Sequence, residues 1–250
     1  MLNDYQHHLE QREQEGLPPL PLDSEQVTAL VELLKRAKNN ESEYLLSLLI
    51  HRVPPGVDQA AYVKAGFLSD VAKGNTLCES IDKVKATQLL GSMMGGYNIQ
   101  PLIDLLDEDD TADAAEKALS TTLLIYDAFH DVVDKASSNP YAKRVVEAWA
   151  DADWFKAKKV LPESITVTVF KVPGETNTDD LSPATDAWSR PDIPLHAKSM
   201  LVSKMPEGLK LIENLKKNGH PLAYVGDVVG TGSSRKSAIN SVLWHMGNDI

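Results

Sequence analysis

Gly230-Thr231-Gly232-Ser233-Ser234-Arg235-Lys236-Ser237 is the stretch of this chain best equipped for chemistry. Two glycines let the backbone come close to a ligand, two adjacent serines offer hydroxyls, and Arg235 offers a forked cation. A helix starting here leaves its first N–H groups without intrahelical partners, facing whatever occupies the turn. Such a turn suits a small anion, a carboxylate or a phosphate. The elements that must position it flank it directly: Leu222 to Val229 reads as a buried strand, and Ser237 to Met246 as a helix that Gly247 closes. The purely structural alternative is a tight turn with a serine cap, but two serines followed by arginine exceed what a cap requires.

Three familiar motifs do not fit. A P-loop needs glycine immediately before Lys236, where Arg235 stands. A dinucleotide fingerprint needs glycine or alanine at Arg235 and an acid about 20 residues later, beyond the last residue. A serine-hydrolase elbow needs Gly-x-Ser-x-Gly, which Gly232 to Lys236 lacks.

Two further clusters carry polar groups. Gly174-Glu175-Thr176-Asn177-Thr178-Asp179-Asp180-Leu181-Ser182-Pro183 reads alone as an Asx-rich turn, and Arg190 in Trp188-Ser189-Arg190-Pro191 as a solvated loop residue. The seven histidines form no zinc-type i,i+4 pair, so His51, His130, His196, His220 and His245 read as ordinary residues. Asp107-Glu108-Asp109-Asp110 reads as a solvated helix end or loop, Gly95-Gly96-Tyr97-Asn98 as a turn, and Met93 and Met94 as core filler.

Composition narrows the class. With 250 residues, 42% hydrophobic and 24% charged, the chain has room for one large or two ordinary domains. Met1 to Gly16 lacks the apolar core of a secretory signal, and no apolar run approaches the ~20 residues of a membrane span. Cys78 is the single cysteine, which excludes a disulfide framework and a cysteine-based metal site within the chain. A cytoplasmic setting is the simplest expectation. Residues 161–250 hold 10 acidic and 9 basic side chains, so residues 1–160 carry −10 of the net −11. That acidity argues against nucleic-acid binding there, leaving solubility or a protein partner as its reading.

The texture changes near residue 160. Residues 1–158 show helical stripes: Val27, Leu30, Val31 and Leu34 after Ser24, then Tyr44 to Leu49, Asp58 to Val71, Ile81 to Leu90, Pro101 to Leu106, Ala114 to Ala128 and Tyr141 to Phe155. Pro101 to Asp107 has the look of a helix opening in a HEAT repeat, proline being harmless in a first turn. A HEAT-like stack and a compact bundle are the two readings of this half. From Leu161 the period becomes two. Ser164 to Val172 reads as a strand, and Leu195 to Leu201 and Gly208 to Lys217 as helices, so residues 159–250 form a small α/β unit.

These residues together resemble the aconitase B family of bacterial bifunctional aconitate hydratases and 2-methylisocitrate dehydratases. The likeness runs through Val53-Pro54-Pro55-Gly56-Val57-Asp58, Ala60 to Leu68, Gly95 to Asn98, Thr166 to Val172, Gly174 to Pro183, Ala187 to Ala197 and Tyr224 to Ser237. The resemblance implies a multidomain α plus α/β fold, with a HEAT-like superhelical domain at 1–158 and an aconitase-type swivelling domain at 159–250. It implies a hydro-lyase interconverting citrate and isocitrate through cis-aconitate, and hydrating 2-methyl-cis-aconitate. Ser233 matches the family's catalytic base. Ser234, Arg235 and Arg190 match its substrate ligands, and Asp179 an acid near the site.

The family's [4Fe–4S] cluster is held by three cysteines, so the resemblance implies cluster-binding domains downstream, no metal ligand in this chain and no activity for this chain alone. Implied partners are the tricarboxylates (citrate, isocitrate, cis-aconitate and 2-methylisocitrate), the downstream domains, a homodimer through the helical half, and messenger RNA for the cluster-free full-length protein. The passage Leu201 to Gly208 is shorter than the family's pattern. The competing reading is an interaction, dimerisation or RNA-regulatory module; a nucleotide-binding module is a third.

Overall fold

Side-chain caps fix where four helices of the first half begin. Asp23, Asp58, Asp82 and Asn139 each place a carboxylate or amide oxygen on a backbone N–H of the turn that follows, satisfying donors a helix start leaves open. Asp23 does so reciprocally with Gln26. The sequence pointed to Ser24 as this cap; the aspartate one residue earlier takes the position.

The computed structural model describes residues 2–37, 40–122, 127–152, 156, 162–190 and 192–247, without the side chains of Asn40 and Arg235. The chain divides into two units, one of Met1–His8 with Pro19–Lys159, the other of Leu9–Pro18 with Val160–Ile250. Residues 157–161, where the texture changes, lie outside the described residues. So do 123–126 and 153–155, within two of the expected helices, and Pro191.

In chain order the first half contains α1 (Leu2–Gln14), α2 (Ser24–Leu34), α3 (Asn40–His51), α4 (Gln59–Ala72), α5 (Lys83–Gly91), α6 (Ile99–Asp104), α7 (Ala112–Ser120), α8 (Ala128–Lys135) and α9 (Pro140–Asp151). Each packs mainly on near neighbours: α2 on α4, α4 on α5, α5 on α7, α7 on α9. Leu30, Leu34, Ala61, Leu68, Ala86, Leu90, Ala115, Leu119 and Val145 are buried along these contacts. Small alanines at the seams let the helix axes approach closely. Two loops meet as closely as backbones can: a Cβ on Gly95, at φ +100°, would lie 2.2 Å from the carbonyl carbon of Gly56.

Several expectations need correction. Helix α7 stops at Ser120 rather than running to Ala128, where Thr121 and Thr122 turn their hydroxyls back onto the Ala118 carbonyl. Met94 is 65% exposed and is not core filler. The acidic run, by contrast, is a solvated helix end and loop as expected, with surface pairs at both ends: Asp107 accepts from Lys135 and Asn139, and Asp110 from Lys83.

The second unit holds two parallel strands, β1 (Thr168–Asn177) and β2 (Leu222–Thr231), paired from Thr168 with Leu222 to Asn177 with Thr231. Short helices α10 (Thr178–Leu181) and α11 (Ile193–Ala197) and the longer α12 (Gly208–Lys216) connect them, and α13 (Arg235–Met246) follows β2. Phe170 and Val172 point from β1 into a core with Leu181, Met200, Leu201, Ile212, Ala238 and Met246. The register breaks between Val172 and Glu175, where Pro173 cannot donate to the ladder, so the strand continues past the proline through a bulge. Helix α11 ends at Ala197, short of the expected Leu201. Leu201 is fully buried at φ +62° and donates its N–H to the Asp180 carbonyl, which fixes the turn through 201–208.

Candidate functional site

Three segments converge at the carboxyl end of the two strands. The pairing of Asn177 with Thr231 sets the start of α10 beside the glycine-rich turn. Contact there is tight: Gly232 sits at φ +99°, and a Cβ on it would come within 2.4 Å of Thr178 Oγ1. Glycine is therefore demanded twice, by conformation and by space. Thr231 Oγ1 donates to Glu175 Oε1 at 2.5 Å. Asn177 and Asp180 cap α10 reciprocally, each carrying the other's backbone N–H at 2.9 Å.

Helix α13 starts unusually. Ser234 stands at its N-cap position, yet its side chain makes no cap hydrogen bond, and both Ser233 and Ser234 are exposed. The first turn contains no acid; its leading residues are Arg235 and Lys236, with Lys236 exposed. Cations at the positive end of a helix dipole are unfavourable unless an anion joins them. The plain cap reading of the serines is thus not what the side chains do. The side chain of Arg235 lies outside the described residues.

Beside the first turns of α13 opens a recess of about 150 Å³, lined by Ser182, Arg190, Asp192, His196, Ser237 and Asn240 among others. Arg190 is half-buried and held from two sides: Nη1 donates to the Leu195 carbonyl at 3.1 Å, and Nε lies 3.8 Å from Asp186 Oδ1. It is an anchored side chain at a polar recess, not a freely solvated one. Asp192 caps α11 by accepting from the Leu195 N–H at 2.9 Å and pairs with Arg12. Arg12 also donates through Nε to the Pro18 carbonyl at 2.8 Å. A continuous relay therefore runs from Arg12 through Asp192 and the Leu195 peptide to Arg190. His196 Nε2 lies 3.2 Å from the Pro183 carbonyl and 3.4 Å from Ser182 Oγ. Behind the recess, burial pushes the His245 imidazole below its usual range, and its Nε2–H donates to the Ala197 carbonyl at 2.8 Å.

The structure thus sets Arg190 in one recess with Ser237, one helical turn beyond Ser233. Asp179 is exposed on α10, next to the threonine that Gly232 abuts. Ser233, Ser234 and Asp179 do not line the recess itself. Arg12, Asp192, His196 and Asn240 escaped the sequence reading; only Asp192, an acid before Ile193-Pro194, carries a local cap signal.

Residues 4–155 match the family profile described as aconitate B N-terminal domain, and residues 167–250 match that of aconitate hydratase 2 N-terminus. The chain belongs to the aconitate hydratase B family. It is 62% identical to aconitate hydratase B of Synechocystis sp., 61% to that of Salmonella typhimurium and 52% to that of Helicobacter pylori. Each alignment covers 100% of this chain and 29%, 30% and 29% of the relative, respectively, so the chain spans under a third of those proteins. Among the described residues no group of three or more His, Cys, Asp or Glu could hold a metal ion, and no described helix is long and apolar enough to cross a membrane. Cys78 is half-buried in the helical unit, its Sγ 3.3 Å from Ser80 Oγ. These residues do not fit a [4Fe–4S] cluster.

Proposed function

We propose that this chain is part of an aconitate hydratase, supplying the catalytic base and carboxylate ligands for interconversion of citrate and isocitrate through cis-aconitate, and for hydration of 2-methyl-cis-aconitate. The observation that carries this reading is the start of α13: two exposed hydroxyls and cationic residues at a positive helix end, with no cap bond consuming them. Ser233 Oγ takes the proton from the carbon beside a substrate carboxylate. A serine can do so only as an alkoxide, which the open N–H groups of the helix start and a neighbouring guanidinium stabilise. Arg235 and Ser234 hold carboxylate oxygens, and Arg190 grips a further carboxylate with a planar fork that lysine cannot reproduce. Asp179 stands at the edge of this site.

A [4Fe–4S] cluster, where the resemblance to the relatives implies one, would polarise the departing hydroxyl; no described residue of this chain is assigned to hold it. The chain of neighbour-on-neighbour helix contacts in 1–158 supports the HEAT-like reading, and the small parallel unit in 159–250 supports that of a swivelling domain that closes over the cluster. Acidity in residues 1–160 weighs against messenger-RNA contact through that half.

The test is Ser233→Ala in a polypeptide extended to the length of its relatives. Turnover of citrate should fall by about 10²–10⁴ while the cluster's absorption and the melting temperature stay in place. Near-normal turnover would remove Ser233 from the role. The 250-residue chain alone should be folded and inactive on citrate.

A further inference from the structure

The helical unit contains a charged side chain that neither its packing nor the proposed chemistry employs. Lys64, in the middle of α4, is 7% exposed and has no ion pair or hydrogen bond among the described residues. Its neighbours in the same unit are treated differently: Lys73 pairs with Asp104 at 2.7 Å, Lys83 with Asp110 at 2.9 Å, and Lys135 with Asp107. Burial alone acts on the Lys64 amine and pushes it below the usual lysine range. The stem is packed away while Nζ itself keeps some access to water. An ammonium largely withdrawn from water without a counter-charge is costly, and a bound anion would offset that cost.

Lys64 lines a recess of about 170 Å³ whose other walls include Val53, Pro54 and Pro55 from the turn after α3, and Met93 and Met94 from the turn after α5. Apart from Lys64 no charged residue among the described residues lines it. At ~30 Å³ per water the recess holds the volume of five or six waters, enough for a single charged group and a few carbons. Met94, 65% exposed, lies at the rim and can re-pack around a guest, as unbranched thioethers do.

We propose that this recess binds a small monocarboxylate, its carboxylate on the Lys64 ammonium and its alkyl part against Val53, Pro54, Pro55 and the two methionines. A tricarboxylate does not suit it, because its other two carboxylates would be stripped of water against prolines and methionines without a cation. The site is therefore independent of the reading of Ser233 and Arg190, and the two can fail separately.

The experiment titrates the chain, labelled with ¹³C at its methionine methyls, with isovalerate, with the uncharged isovaleramide and with citrate. Met93→Leu and Met94→Leu assign the two signals. Isovalerate should shift both saturably at millimolar concentration, as suits a ligand of so few atoms. Isovaleramide and citrate should bind at least tenfold more weakly. Lys64→Met should weaken isovalerate at least tenfold while the remaining methyl signals hold their positions, showing an intact fold. If that variant does not fold, the acid-to-amide ratio in the unaltered chain decides. Equal affinity for acid and amide, binding retained by Lys64→Met, or citrate displacing the same two signals as strongly would overturn the proposal.

Discussion

Helix starts in this chain differ in what they do with their polar side chains, and α2 and α13 stand at the two extremes. In the first unit α2, α4, α5 and α9 begin on Asp23, Asp58, Asp82 and Asn139, whose side chains are spent on the backbone of the helix they introduce. In the second, α13 begins on Ser234 without a cap bond and carries cations where the dipole prefers acids. The strands repeat the contrast: Val169, Val228 and Val229 are 50%, 51% and 47% exposed, while the helical seams are closed. Where a fold satisfies its own polar groups it is finished locally. Where a helix start leaves hydroxyls and donors uncommitted, as at Ser234, the turn has capacity for a ligand. Within the second unit α10 and α11 are capped by Asn177 and Asp192, while α12, like α13, begins without a side-chain cap bond.

The largest expected effects come from the two glycine contacts, one in each unit. Gly95→Ala would drive a Cβ into the Gly56 backbone at φ +100°, where nothing can rotate away. It should cost on the order of 3 kcal/mol or more and unfold the helical unit at a lower temperature in a calorimetric scan. Gly232→Ala meets a side-chain hydroxyl instead, Thr178 Oγ1 at 2.4 Å, so part of its cost is relievable. The single change should cost about 2 kcal/mol, and adding Thr178→Ala should restore roughly half, leaving the φ penalty. Full restoration would mean that conformation at this turn is not constrained, and the contrast between the two glycines would collapse.

Next in size is Arg12→Ala. The Arg12 and Asp192 side chains are 11% and 19% exposed, and losing the guanidinium strands the carboxylate and frees the Pro18 carbonyl. About 2 kcal/mol of stability should go, by denaturant titration. In the extended enzyme the same change should raise KM for citrate more than it lowers kcat, because Arg12 reaches the site only by holding the peptide that anchors Arg190. An unchanged KM would show that the relay ends at Asp192.

Much of this architecture could be read from local pattern, and the exceptions have physical causes. The order strand–turn–helix at 222–246 was legible from the run of glycine and serine, but the strand expected to be buried has no buried residue, because its one strand partner among the described residues leaves its other edge open. Helix α1 was missed: Tyr5 is its one buried residue, so no apolar stripe marks it. Strand β1 was placed too early because Pro173-Gly174 looks like an ending, whereas the bulge and the Asp227 carboxylate, accepting from the Gly174 N–H at 2.7 Å, carry the chain through it. Arg190 and Ser233 were singled out through the likeness, whereas Arg12 lies 180 residues from Asp192 and has no periodicity that could announce the pair. Local rules expose local commitments; a long-range ion pair is visible only once the chain is folded.

The smallest effect is the one that tests the contrast between helix starts most directly. Lys236→Glu places an acid at the positive end of the dipole, as Glu25 does in α2 and Asp113 in α7. If the unfavourable start is an adaptation to an anion, stability should rise by about 0.5 kcal/mol in the ligand-free chain. The stabilisation that citrate or tricarballylate gives to wild type should shrink at the same time, because the new carboxylate repels the one that belongs there. The two readouts must move in opposite directions. A variant that loses stability, or that gains it while responding to tricarboxylates as before, would mean that the cations at this helix start face solvent rather than a ligand, and the contrast between the helix starts would be a matter of surface composition alone.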